Sequence, residues 1–150
     1  MFVVFVAYGL LMLVGSMALR RSRLRAAWPL AALNGLALLG VAVTPIHHSG
    51  WLDARHGNAA LLSYFTIAAL PVFGATGLAA GRRWAVIASV VVGAASLASL
   101  AMAYGNDYVG WFQRTGAGLS NVWTLAVAVV LFTGRLATPA ATEPGEAPDP

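Results

Sequence analysis

Residues 44–58, TPIHHSGWLDARHGN, hold all three histidines of the 150-residue chain, together with Asp53 and Arg55. Imidazole and carboxylate are the usual ligands of zinc, so His47, His48 and His56 are metal candidates, with Asp53 beside them. Asp53 and His56 are three apart and share a face if the segment is helical. His47 and His48 are neighbours and cannot face the same way on a helix. The pattern HHxxxxDxxH matches no established ligand spacing, and a polar loop in water explains the same residues without chemistry. Haem held between helices needs histidines at membrane depth, whereas these lie at the ends of apolar segments. No bound cofactor is expected.

A second group is Asp107, Gln113 and Arg114 in YGNDYVGWFQRTG, residues 104–116. Asp53 and Asp107 are the only carboxylates before Glu143. Buried charges are normally paired, so the plain reading is a structural ion pair, Asp53 with Arg114 or Asp107 with Arg55. The functional reading is an anionic lipid headgroup held by Arg114 through paired hydrogen bonds to phosphate. Asn121 lies seven residues after Arg114 and shares its face if the segment is one helix. The two would then line a polar pocket opening outward. Asn34, Ser63, Thr66, Asn121 and Thr124 interrupt apolar runs, and hydrogen bonding between helices is their default role. No acidic, basic or histidine side chain sits mid-membrane, which argues against a proton-coupled pump. With no cysteine, thiolate metal sites and thiol nucleophiles are excluded. There is no phosphate-binding glycine loop, serine elbow or His-Glu zinc helix.

The elements that carry these residues are strongly apolar. Hydrophobic residues make up 59% of the chain and charged residues 9%, against about 25% charged in soluble domains. Mean hydropathy is +0.76. Five uncharged runs approach the ~20 residues a spanning helix needs: 1–19, 26–46, 59–80, 84–104 and 117–134. An all-α, multi-pass transmembrane bundle of five spans is expected over residues 1–136. The Pro- and acid-rich stretch 137–150 is expected to be a disordered cytoplasmic tail.

The nine basic residues are all arginine, and their positions set a topology. Arg20, Arg21, Arg23 and Arg25 follow run one, Arg82 and Arg83 separate runs three and four, and Arg135 follows run five. The other two connections carry only Arg55 and Arg114. By the positive-inside rule the N-terminus is outside, the C-terminus cytoplasmic and the histidine stretch outside. The chain belongs in a cytoplasmic (inner) membrane on this reading. The first run is a retained helix, because no basic side chain precedes it as in a signal peptide. The arginines orient helices in a bilayer and are not interleaved with aromatics, so nucleic acid is excluded as a partner. Run four carries small residues at Ala85, Ser89, Gly93 and Ala101, which let helices approach, and is expected to be central. Pro71 should kink run three, and Tyr104, Tyr108, Trp111 and Phe112 suit an aromatic belt.

The stretch GWFQRTGAGLSNVW, residues 110–123, resembles the hallmark of domain-of-unknown-function 998, a family of prokaryotic multi-pass membrane proteins. The matching positions are Gly110, Gln113, Arg114 and Trp123. Pro45 followed by His56 is similar to a second feature of that family, a Pro-containing turn before a His at a helix start. The resemblance covers about residues 26–135. It implies that Gln113, Arg114 and His56 belong together, and it implies no reaction; members typically have six or more helices. Together these features predict a membrane protein that binds a lipid or a partner subunit, including a second copy, through an outer-facing polar mouth. The alternatives are a membrane-embedded enzyme acting on a lipid headgroup, with His56 as metal ligand or base, and, less favoured, a small transporter.

Overall fold

The computed structural model describes residues 2–46, 49–78, 82–103 and 107–133. Five α-helices account for most of them: α1 (Phe2–Arg20), α2 (Trp28–Val43), α3 (Gly50–Leu78), α4 (Arg83–Met102) and α5 (Val109–Phe132). A short 3-10 turn, Arg25–Ala27, leads into α2. All five are long and apolar enough to cross a membrane. The chain is therefore an all-α, multi-pass membrane bundle, as its composition predicts. Residues 137–150 lie outside the described residues.

Two helices start earlier than hydropathy suggests. Helix α3 begins at Gly50, nine residues ahead of run three, and α5 begins at Val109, eight ahead of run five. Both added stretches are polar, so an apolar-run criterion reads them as loop. Backbone hydrogen bonding makes no such distinction where water solvates the side chains. Ser49 caps α3: its hydroxyl accepts from the Leu52 amide at 3.3 Å, and its carbonyl accepts from the Asp53 amide at 2.9 Å. This is the N-cap arrangement that satisfies otherwise orphaned amides. At 29 residues α3 is about 43 Å long, longer than the ~30 Å hydrocarbon core.

Each helix packs on its chain neighbour, and α3 also packs on α5 and on the connection between α1 and α2. The centre is thus α3 rather than run four. Ile67, Ala68, Ala69, Leu70 and Pro71 are consecutive and all buried, which only a helix covered all round can achieve. Pro71 is accommodated within the continuous helix α3. Helix α4 contributes a single buried face of small residues, Ser89, Gly93, Ser96 and Ser99.

Close approach is set by glycine. A Cβ on Gly35 would stand 2.7 Å from the Gly9 carbonyl oxygen and 2.9 Å from Leu13 Cγ, so α1 and α2 touch backbone to backbone. A Cβ on Gly77 would collide with the Arg23 carbonyl. The connection between α1 and α2 is consequently tucked under the end of α3, with Leu24 completely buried. Its fold is tied locally by Ser22, whose hydroxyl donates to the Leu19 carbonyl at 2.9 Å and accepts from the Leu24 amide at 3.0 Å.

Candidate functional site

The connections place chemistry at two opposite ends. One end carries Arg20, Arg21, Arg23, Arg25, Arg82 and Arg83. The other carries the starts of α3 and α5, with Asp53, Arg55, His56, Asp107, Gln113 and Arg114.

At this second end His56, Arg55 and Gln113 each have surroundings of their own. His56 lies within α3, half-buried, and its Nδ1 is 2.6 Å from the Thr44 carbonyl. That contact satisfies a carbonyl at the end of α2 and fastens the α2–α3 turn. The Arg55 guanidinium sits over the Trp51 ring, 3.6 Å from its centroid. Asp107 and Arg114 are exposed. Among the described residues no three His, Asp or Glu side chains could share a metal ion; His47 and His48 lie outside the described residues. Gln113 lines a cavity. That cavity holds about 320 Å³ between α3, α4 and α5, and Gly57, Tyr64, Leu100 and Val109 complete its wall.

The larger cavity lies elsewhere. A slot of about 570 Å³ separates α1 from α5. Its α1 wall is Tyr8, Leu11, Met12, Gly15 and Leu19; its α5 wall is Asn121, Trp123, Thr124, Leu125, Val127, Ala128 and Leu131. Ala31 and Leu70 line it from α2 and α3. The spacing on α1 is one face of a helix, i, i+3, i+4, i+7 and i+11. Leu11, Leu125 and Ala128 are exposed along it. The gap exists because α1 packs on α2 and α5 packs on α3 and α4, while α1 and α5 have little direct packing. One polar contact crosses it: the Tyr8 hydroxyl donates to Asn121 Oδ1 at 2.5 Å. The far end is lined by Leu19 and Leu131, both packed with the cluster that contains Leu24. Asn121, expected in an outward-opening pocket, thus lines this slot instead.

Polar side chains hold the walls in place. The Trp123 indole donates to the Ser89 hydroxyl at 2.8 Å and lies against Gly74, where a Cβ would come within 2.5 Å of the ring. One side chain of α5 is thereby fixed to both α3 and α4. Ser120 donates to Ser96 at 2.9 Å, and Ser99 to the Phe112 carbonyl at 2.9 Å. On the other side, Asn34 Nδ2 reaches the Ser63 carbonyl at 2.7 Å and Thr66 Oγ1 at 3.0 Å. Such bonds average about 0.6 kcal/mol in membranes. Their geometric effect matters more here, since they fix helix rotation where hydrophobic burial discriminates little. Tyr8 was not singled out by sequence; its one signal is a phenol inside an otherwise apolar first helix.

Five spanning helices around α3, with a lateral apolar slot and few charges within the spans, define a multi-pass helical membrane protein. A family model described as "Protein of unknown function (DUF998)" matches residues 1–130, and the chain belongs to that family. The match takes in α1 as well as the 26–130 region, so the first wall of the slot falls within it. No curated protein and no solved structure matches the chain.

Proposed function

We propose that this protein binds a membrane lipid in the α1–α5 slot and performs no reaction on it. One observation carries the reading: a cavity of about 570 Å³ at membrane depth, walled by apolar side chains from four helices. Ligand cavities typically hold about 300–1,000 Å³ and are mostly apolar with a few placed polar groups. Tyr8 and Asn121 supply those groups.

The lining suits a lipid acyl chain, since apolar side chains follow one another along both walls with Tyr8 and Asn121 as the polar pair. The stretch from Tyr8 to Leu19 is about 16 Å long at 1.5 Å per residue. Leu11 and Leu125, exposed on the two facing walls, mark a lateral way in for an acyl chain. The orientation that fits the arginines has the N-terminus outside a cytoplasmic membrane and the arginine-rich end inside.

The experiment is native mass spectrometry of the protein released from mild detergent. Wild type should retain one lipid per chain. Gly15 lines the slot, and a Cβ there would meet nothing within 4 Å, so Gly15→Phe should fill the slot without disturbing the bundle. Loss of the lipid in Gly15→Phe supports the reading; equal retention by wild type and variant overturns it.

A further inference from the structure

We propose that the lipid in this slot is an anionic phospholipid drawn from the leaflet on the arginine-rich side, with one acyl chain in the slot and its headgroup at the residue 20–25 connection. The proposal rests on the lipid-slot reading above and adds the leaflet and the headgroup charge.

Depth argues for the leaflet. The slot runs from Tyr8 and Asn121 to Leu19 and Leu131, that is, 11 residues of α1 and 10 of α5. At 1.5 Å per residue this is about 15–16 Å, half of a ~30 Å hydrocarbon core. Tyr8 lies 12 residues from the arginine end of α1, and Asn121 lies 11 from the corresponding end of α5. Their hydrogen bond therefore crosses the slot near mid-membrane on both helices. The slot is one leaflet deep, barred at the midplane, and reaches the interface only at Leu19 and Leu131.

Charge argues for the headgroup. The residue after Leu19 is Arg20, and Arg20, Arg21, Arg23 and Arg25 fall within six consecutive positions, all exposed. Leu19 and Leu24 pack in one core cluster with Leu131 against it, which pins this connection to that end of the slot. Gly77 holds the same connection from below, leaving no room for a Cβ against the Arg23 carbonyl. Arg82 lines the neighbouring cleft on the other side of α5, with Val127 and Val130. No acidic residue occurs among the described residues of this end. A headgroup phosphate here lies within a Debye length, ~8 Å, of several guanidinium groups. Attraction of anionic lipid by juxtamembrane arginines amounts to about fivefold per residue near the surface, so the preference should exceed roughly tenfold.

The test uses full-length protein in nanodiscs containing equal parts phosphatidylglycerol and phosphatidylcholine with matched tails, followed by native mass spectrometry of the lipid retained on release. Wild type should keep phosphatidylglycerol over phosphatidylcholine by more than tenfold. The double variant Arg20→Gln with Arg23→Gln should still retain one lipid, with the preference reduced at least fivefold. Gly15→Phe, and independently Ala128→Phe on the opposite wall, should lose the tightly held lipid of either kind. Equal retention of the two lipids by wild type overturns the headgroup assignment while leaving the slot reading intact. An anionic preference that persists in both slot-filling variants overturns it as well, because that preference is then annular. Retention of lipid by both slot-filling variants with no preference sinks the slot reading itself.

Discussion

The Gly74→Ala substitution exposes how Trp123 fixes the slot's α5 wall. A Cβ built on Gly74 stands 2.5 and 2.6 Å from Cη2 and Cζ2 of Trp123, against the 3.5–4.0 Å of ordinary carbon contacts. The ring must retreat by about 1 Å, yet its Nε1 is held 2.8 Å from Ser89 Oγ. Overpacking of this kind costs about 1–3 kcal/mol, and a strained or lost indole bond adds about 0.6 kcal/mol. A phenylalanine at 123 lacks the atoms that collide. In a Trp123→Phe background, therefore, Gly74→Ala should cost less than about 0.5 kcal/mol. The cycle is measured by equilibrium unfolding in mixed micelles with SDS, followed by circular dichroism. A favourable coupling of ~1 kcal/mol or more between the two substitutions is expected. Strict additivity would refute the contact and with it the claim that Trp123 sets the rotation of α5.

Other outcomes follow from the same geometry. Gly35→Ala should destabilise the protein by about 1–3 kcal/mol in the same unfolding assay, because its Cβ meets the Gly9 carbonyl and Leu13. Asn34→Ala should lose about 1–2 kcal/mol, since its amide nitrogen joins α2 to Ser63 and Thr66 of α3. His56→Ala should cost about 0.5–1.5 kcal/mol through the lost Thr44 contact, with metal content by elemental analysis the same in variant and wild type. A reporter fused after residue 135 should be active only as a cytoplasmic reporter; an external signal would reverse the leaflet to which the lipid is assigned.

Hydropathy alone suffices for the five spans, because an uncharged run of about 20 residues has few fates besides a spanning helix. It fails at the starts of α3 and α5, where Gly50–Asn58 and Val109–Gly116 are polar and helical together. The cap at Ser49 was readable there in principle. Small residues in run four correctly mark a contact face, yet centrality depends on how many helices cover an element, and α3 is covered by four neighbours in space. Asn121 stood out as an amide in an apolar run, but its partner Tyr8 is 113 positions away. Nothing periodic in the chain announces that α1 and α5 flank a common gap. The residues at the starts of α3 and α5 stood out by rarity of type, and three of them have separate contacts: His56 on Thr44, Arg55 on Trp51, Gln113 on its own small cavity.

Occupancy of the slot is read most directly by photo-crosslinking from within the bilayer. Protein is reconstituted with a phospholipid carrying a diazirine along its acyl chain, irradiated, and mapped by peptide mass spectrometry. Labelling should concentrate on the facing slot residues Leu11, Gly15, Leu125 and Ala128, well above Phe73 and Val91, which are also exposed on the bundle but lie outside the slot. The excess should vanish in Gly15→Phe. Uniform labelling of all exposed apolar side chains, unchanged by that substitution, would contradict a lipid-binding slot between α1 and α5.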